Sequence, residues 1–101
     1  KIYKVRGISM SPEIVDKSYV IVKQNNKANW FPKKNSILIF NHEKYGILVK
    51  RLTEADNHGN HWFCSNRKYS LSKEQIGPIK KENIYGKVLL VISKKNIGFY
   101  I

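Results

Sequence analysis

A chain of 101 residues is long enough for one domain, expected to span 1–101, with one modest core. Its net charge of +12 comes from lysines scattered from Lys1 to Lys95, which fits a solvated basic surface better than a nucleic-acid groove, so nucleic acid is disfavoured as a partner. The single cysteine, Cys64, excludes an internal disulfide, no run approaches the roughly 18 apolar residues of a spanning helix, and His42, His58 and His61 form no recognised ligand spacing with Cys64, so no metal and no cofactor are expected.

In chain order, residues 2–5 read as a short strand that ends at Gly7. A turn is expected to begin at Ser11-Pro12-Glu13, with Ser11 as cap and Pro12 at the first helical position. Tyr19-Val20-Ile21-Val22 is a strand, and residues 24–29 form a polar loop ahead of Trp30-Phe31-Pro32. Ile37-Leu38-Ile39-Phe40 and Ile47-Leu48-Val49 are strands joined as a hairpin through residues 41–46. A polar turn with Gly59 covers residues 55–60 and leads into a strand at 61–64. A short turn is expected near residues 72–75, and the apolar run Val88-Leu89-Leu90-Val91-Ile92 is the last strand. Runs that are apolar at every position predict strands covered on both faces, or strands that change face at a bulge. Trp30, Phe31, Trp62, Phe63, Tyr85, Phe99 and Tyr100 are expected to pack the core or its rim. They do not fall along one strand face, which argues against a base-stacking surface.

Two segments combine turn geometry with chemistry. In Gly7-Ile8-Ser9-Met10-Ser11-Pro12 a strand meets a proline-containing turn, so Ser9 is exposed where backbone N–H groups are free to hold an oxyanion. Taken alone, such a serine is most often an ordinary turn residue. In Leu48-Val49-Lys50-Arg51-Leu52, strand alternation puts Lys50 on the same face as Leu48 and apart from Val49 and Arg51. A lysine sharing a face with core residues is either desolvated, which lowers its pKa and makes it a usable base, or snorkels to solvent.

Together these segments resemble the type I signal peptidases and their relatives, the LexA-type self-cleaving repressors. Gly7-Ile8-Ser9-Met10-Ser11-Pro12 matches the Gly-x-Ser-Met-x-Pro nucleophile box at every fixed position, and Val49-Lys50-Arg51 matches the base box. Ile84-Tyr85-Gly86-Lys87-Val88 matches the closing Ile-x-Gly-Lys-Val segment. A third segment favours the signal peptidase branch: Asn66, Arg67, Ser70 and Gly77 fall on positions of its Gly-Asp-Asn-Arg-x-x-Ser box and following glycine. The departures are Cys64-Ser65 for the box's Gly-Asp, Ser72 and Glu74 for its later Asp and Arg, and Lys17-Ser18 and Asn35-Ser36 for two Gly-Asp turns.

The resemblance implies a small, mainly β fold of coiled, mostly antiparallel strands forming a sandwich or partial barrel, with little helix. It implies a serine endopeptidase in which Ser9 is the nucleophile and Lys50 the general base. Ser70 would support the dyad, and the backbone N–H groups of Ser9 and Met10 would form the oxyanion hole. The substrate would be an extended segment of a precursor protein, held by Ile8, Met10, Ile37 and Ile39, with small residues before the cut. Two forms fit: the catalytic domain of an anchored leader peptidase acting outside the cytoplasm at an anionic membrane surface, or a small soluble cytoplasmic relative like the proteases that trim the leader from nickel superoxide dismutase. The rival readings are a LexA-type self-cleaving domain, disfavoured because only eight residues precede Ser9, a non-enzymatic basic β-barrel that binds nucleic acid, and a degenerate member that binds peptide without cutting it.

Overall fold

Ile37, Leu38, Ile39 and Phe40 are buried at four successive positions, and this strand organises the rest of the protein. Side chains alternate across a strand, so the run feeds two cores at once. Ile37 and Ile39 join Met10, Ile14, Val20, Val22, Val88 and Val91. Leu38 and Phe40 join Leu52, Phe63, Ile76, Ile79 and Ile84, with the Phe40 and Phe63 rings stacked at a centroid distance of 4.2 Å.

The computed structural model describes residues 1–24, 30–68, 70–94 and 97–99. Its strands are β1 (Ile2–Lys4), β2 (Tyr19–Gln24), β3 (Ile37–His42), β4 (Gly46–Ala55), β5 (Asn60–Cys64), β6 (Ile79–Lys80), β7 (Ile84–Ile92) and β8 (Ile97–Phe99). They form one open sheet in the order β1-β2-β7-β3-β4-β5-β6, with β8 also paired to β7. Every pairing is antiparallel, and register shifts at Ile21/Val22, Ile39/Phe40 and Leu52/Glu54 mark bulges that bend the sheet. The mainly β, antiparallel expectation holds, realised as a single coiled sheet with a core on each face. Among the described residues, helix is confined to α1 (Lys73–Ile76) and a 3-10 turn at Lys81–Asn83.

The turn expected near residues 72–75 is α1. Its cap is a reciprocal pair: Gln75 N–H donates to Ser72 Oγ at 3.1 Å, and Ser72 N–H donates to Gln75 Oε1 at 2.8 Å. Asp56 organises the polar turn between β4 and β5, accepting from His58 N–H at 2.9 Å and Asn60 N–H at 3.0 Å through Oδ1, and from Trp62 Nε1 through Oδ2 at 3.2 Å.

The turn expected at Ser11-Pro12-Glu13 is present within a run of turns over residues 9–13, but it does not go on as a helix capped by Ser11, and the Ser11–Pro12 peptide is cis. A helix would spend the Ser9 carbonyl on the Glu13 N–H, but that carbonyl instead accepts from Asn66 N–H at 2.7 Å and Arg67 N–H at 3.2 Å. Phe31 does not pack the core; it is 76% exposed, with the Lys81 ammonium 4.3 Å from its ring centroid. Tyr85 also stands at the surface, 37% exposed. The short strands β6 and β8 were not anticipated. The loop residues 25–29, Tyr69, Lys95, Tyr100 and the Phe99 side chain lie outside the described residues.

Two positions where the signal peptidase pattern carries glycine show why it does so. Lys17 has φ of 68° and Asn35 has φ of 73°, the left-handed region that glycine enters freely and lysine does not. At Gly86 the constraint is space, because a Cβ there would lie 2.2 Å from Lys23 O and 2.8 Å from Val22 Cγ1, where β2 crosses β7.

Candidate active site

Ser9 and Lys50 reach one place by different routes. Ser9 lies in the turns after β1, and Lys50 lies on β4, paired across the sheet with Leu38. Both line a cavity of about 290 Å³. Its other walls are Tyr3, Val5 and Arg6 from the first segment, Met10 and Ile39 beneath, and Ile47, Leu48 and Val49 from β4, with Lys4 completing the rim.

Lys50 is 3% exposed, among the few buried polar residues of the chain. Burial pushes its pKa below the ordinary 10.5; the neighbouring Cys64 sulfur, when ionised, pulls weakly the other way. Among the described residues no carboxylate pairs with it. The side chain therefore does not snorkel to bulk water, and its burial disfavours the charged form. No hydrogen bond joins Ser9 Oγ to Lys50 Nζ.

The turns carrying Ser9 are fastened at both ends. On one side Gly7 N–H donates to Asp16 Oδ1 at 2.7 Å. On the other, Asn66 holds Ser9 O through its backbone and donates from Nδ2 to Met10 O and to Glu13 Oε1, both at 3.0 Å. Glu13 in turn pairs with Arg51, the residue after Lys50, and Arg51 Nη1 donates to Asn35 O at 2.8 Å. Burial acts to raise the Glu13 pKa, but the hydrogen bonds from Arg51 and Asn66 and the charge of Arg51 outweigh it and hold the carboxyl below its ordinary 4.5. The backbone N–H groups of Ser9 and Met10 donate to no protein acceptor among the described residues.

The expected site residues divide. Ser9, Lys50, Met10 and Ile39 line the cavity. Ile8 does not, being 57% exposed on the outside of its turn, and neither does Ile37, which faces Arg51 in the register and is sealed in the first core. Ser70 does not line it either; among the described residues its one hydrogen bond is from its backbone N–H to Arg67 O at 3.2 Å. The sequence reading missed Tyr3, Val5 and Arg6 as one wall, and Glu13 as part of the brace. Asn66 and Arg51 stood in the quoted boxes, so their presence was visible while their bonding was not. Among the described residues no three His, Cys, Asp or Glu side chains cluster to hold a metal.

The comparison with known families agrees with this arrangement: a family model described as Peptidase S24-like matches residues 1–89. The chain belongs to the Peptidase S24-like family. The match spans the Ser9 turns, the Lys50 strand and the Asn66 segment together, and it is consistent with the signal peptidase and LexA-type superfamily. Membership in this family supports a serine peptidase-type function. No curated protein matches the chain.

Proposed function

We propose that this protein is a serine endopeptidase with a Ser9–Lys50 dyad that removes a leader or signal segment from a precursor protein. The observation that carries the reading is the buried Lys50, desolvated and without a carboxylate partner among the described residues, at the wall of the cavity that Ser9 also lines. Neutral Lys50 takes the Ser9 hydroxyl proton as Oγ attacks the scissile carbonyl carbon. The oxyanion forms toward the free N–H groups of Ser9 and Met10, where each lost donor would raise the barrier by about 3–4 kcal/mol. The Lys50 ammonium gives its proton to the leaving amine, then as neutral base activates the water that hydrolyses the acyl-enzyme. Catalytic hydrogen bonds are commonly loose before substrate arrives, and closure of the Ser9–Lys50 contact belongs to the complex.

The sheet supplies a seat for an extended substrate. β4 pairs with β3 from Gly46 to Arg51, whereas β5 begins to pair with it only at Arg51. Among the described residues, the other edge of β4 before Arg51 faces no strand, and β1, across the cavity, is the edge strand of the sheet. A peptide threaded between them can bond main chain to main chain. Met10, Ile39 and Val49 give an apolar wall suited to a small side chain before the cut. Ser70 is assigned as a supporting hydroxyl on the strength of its box position alone.

The deciding experiment is cleavage of secreted-protein precursors and leader-containing precursors by wild-type, Ser9→Ala and Lys50→Arg proteins. Both variants should fold and cut nothing, since arginine cannot serve as a neutral base. Activity retained in either variant overturns the dyad. A preference for bulky residues before the cut overturns the pocket assignment.

A further inference from the structure

The walls of the cavity are not electrically neutral. Lys4 and Arg6 stand on its rim, two residues apart on the first segment, and among the described residues no aspartate or glutamate lines it. Lys4 is partly occupied, with its ammonium 5.7 Å from the Tyr19 ring centroid on the far side. Arg6 is exposed and among the described residues has no ion pair, ring contact or hydrogen bond. The nearest candidate counter-ion in sequence, Asp16, already accepts from Gly7 N–H. Glu82 and Lys1 line a neighbouring cavity that shares the Tyr3 and Ile47 walls, whereas the cavity holding Ser9 has Lys4 and Arg6 among its charged lining residues.

We infer that Arg6, assisted by Lys4, selects substrates carrying an acidic side chain within a few residues of the scissile bond. The inference rests on the peptidase reading and adds to it a substrate class: acidic-flanked extended peptides. A guanidinium at this rim meets a carboxylate with a planar fork of donors, so it favours aspartate or glutamate over a neutral residue of equal size. The overall charge of +12 draws such peptides toward the surface, and the unpaired Arg6 fixes where along the bound strand the acid sits.

The test uses a set of quenched fluorescent peptides in which alanine, aspartate, glutamate or lysine is placed in turn at each of the three positions on either side of the cut. One position should show an acid-over-alanine gain of about three- to fivefold in kcat/KM at low salt, the size typical of a solvent-accessible ion pair, shrinking at high salt. Arg6→Gln should remove the gain, and Arg6→Glu should turn it into a preference for lysine at the same position. Equal rates for acidic and neutral peptides, or a preference that survives Arg6→Glu, overturn the inference. The same peptides are titrated by fluorescence anisotropy onto Ser9→Ala protein with and without Arg6→Glu. Tighter binding of the acidic peptide, lost with Arg6→Glu, supports the inference even where wild-type protein cuts nothing and the peptidase reading falls. Indifference to the acid in this binding arm overturns it independently of cleavage.

Discussion

Asn66 and Glu13 are bonded side chain to side chain at 3.0 Å, and that contact joins the turns carrying Ser9 to the strand carrying Lys50. Glu13 passes the connection to Arg51, one residue from Lys50, while Asn66 holds Ser9 O and Met10 O directly. The brace leaves Ser9 Oγ and Lys50 Nζ unbonded but fixes the backbones from which they project. Asn66→Ala should therefore lower kcat by roughly 10- to 100-fold through misplacement of Ser9, with an unfolding cost of only about 1–2 kcal/mol. Single-turnover kinetics alongside urea denaturation separate the two effects, and a kcat within twofold of wild type would show that the brace does not position the nucleophile.

The Glu13–Arg51 pair gives a pH signature. The Glu13 carboxyl is held below its ordinary value of 4.5, so the pair's contribution is complete above that value and is lost as pH falls through the folded-state pKa. Both side chains are partly solvated, which limits the contribution to about 0.5–1 kcal/mol. Glu13→Gln should be less stable than wild type by that amount at pH 7, and the two denaturation curves should converge in strong acid.

Lys50 is expected to weaken the fold that it serves. Its folded-state pKa lies below the ordinary 10.5, so below the folded value the native protein carries a buried charge that the unfolded chain keeps in water. The unfolded state binds more protons in the window between the two values, and stability rises with pH there. Lys50→Met should stabilise the protein by about 1–2 kcal/mol at neutral pH while abolishing cleavage. Its advantage should shrink as pH climbs toward 10.5. A Lys50→Met protein less stable than wild type at pH 7 would mean that the ammonium is better accommodated than its burial implies.

Backbone constraints give two opposite outcomes. Lys17→Gly relieves a lysine held at φ of 68° and should raise stability by about 1 kcal/mol. Gly86→Ala forces a Cβ to within 2.2 Å of Lys23 O and should cost about 2–3 kcal/mol as β2 and β7 separate. Thermal unfolding of both variants checks the pair.

Much of the fold could be read from local pattern. The four-residue apolar run at Ile37-Leu38-Ile39-Phe40 predicted a strand covered on both faces, and burial on both sides is what the protein shows. β4 was legible only in its apolar first half, because beyond Lys50 it continues through Arg51, Thr53 and Glu54, whose polarity hides a strand held by its partner β5. Strands β6 and β8, two and three residues long, carry too little periodicity to be seen alone. Ser9 and Lys50 stood out through their boxes, and both line one cavity. The first-segment wall and the Glu13 brace were invisible for a different reason: each depends on contacts across 30 or more residues, which no local spacing encodes. Ile37 was misjudged because strand membership was legible while the side facing the cavity was not.

The unpaired stretch of β4 has a fixed length, ending at Arg51 where β5 takes over the edge. Under the peptidase reading it would act as a ruler, holding only a handful of consecutive residues of a substrate that is already stretched out. Timing would follow from this shape: a precursor is open to cutting while its leader remains unstructured, and becomes resistant once that segment folds away.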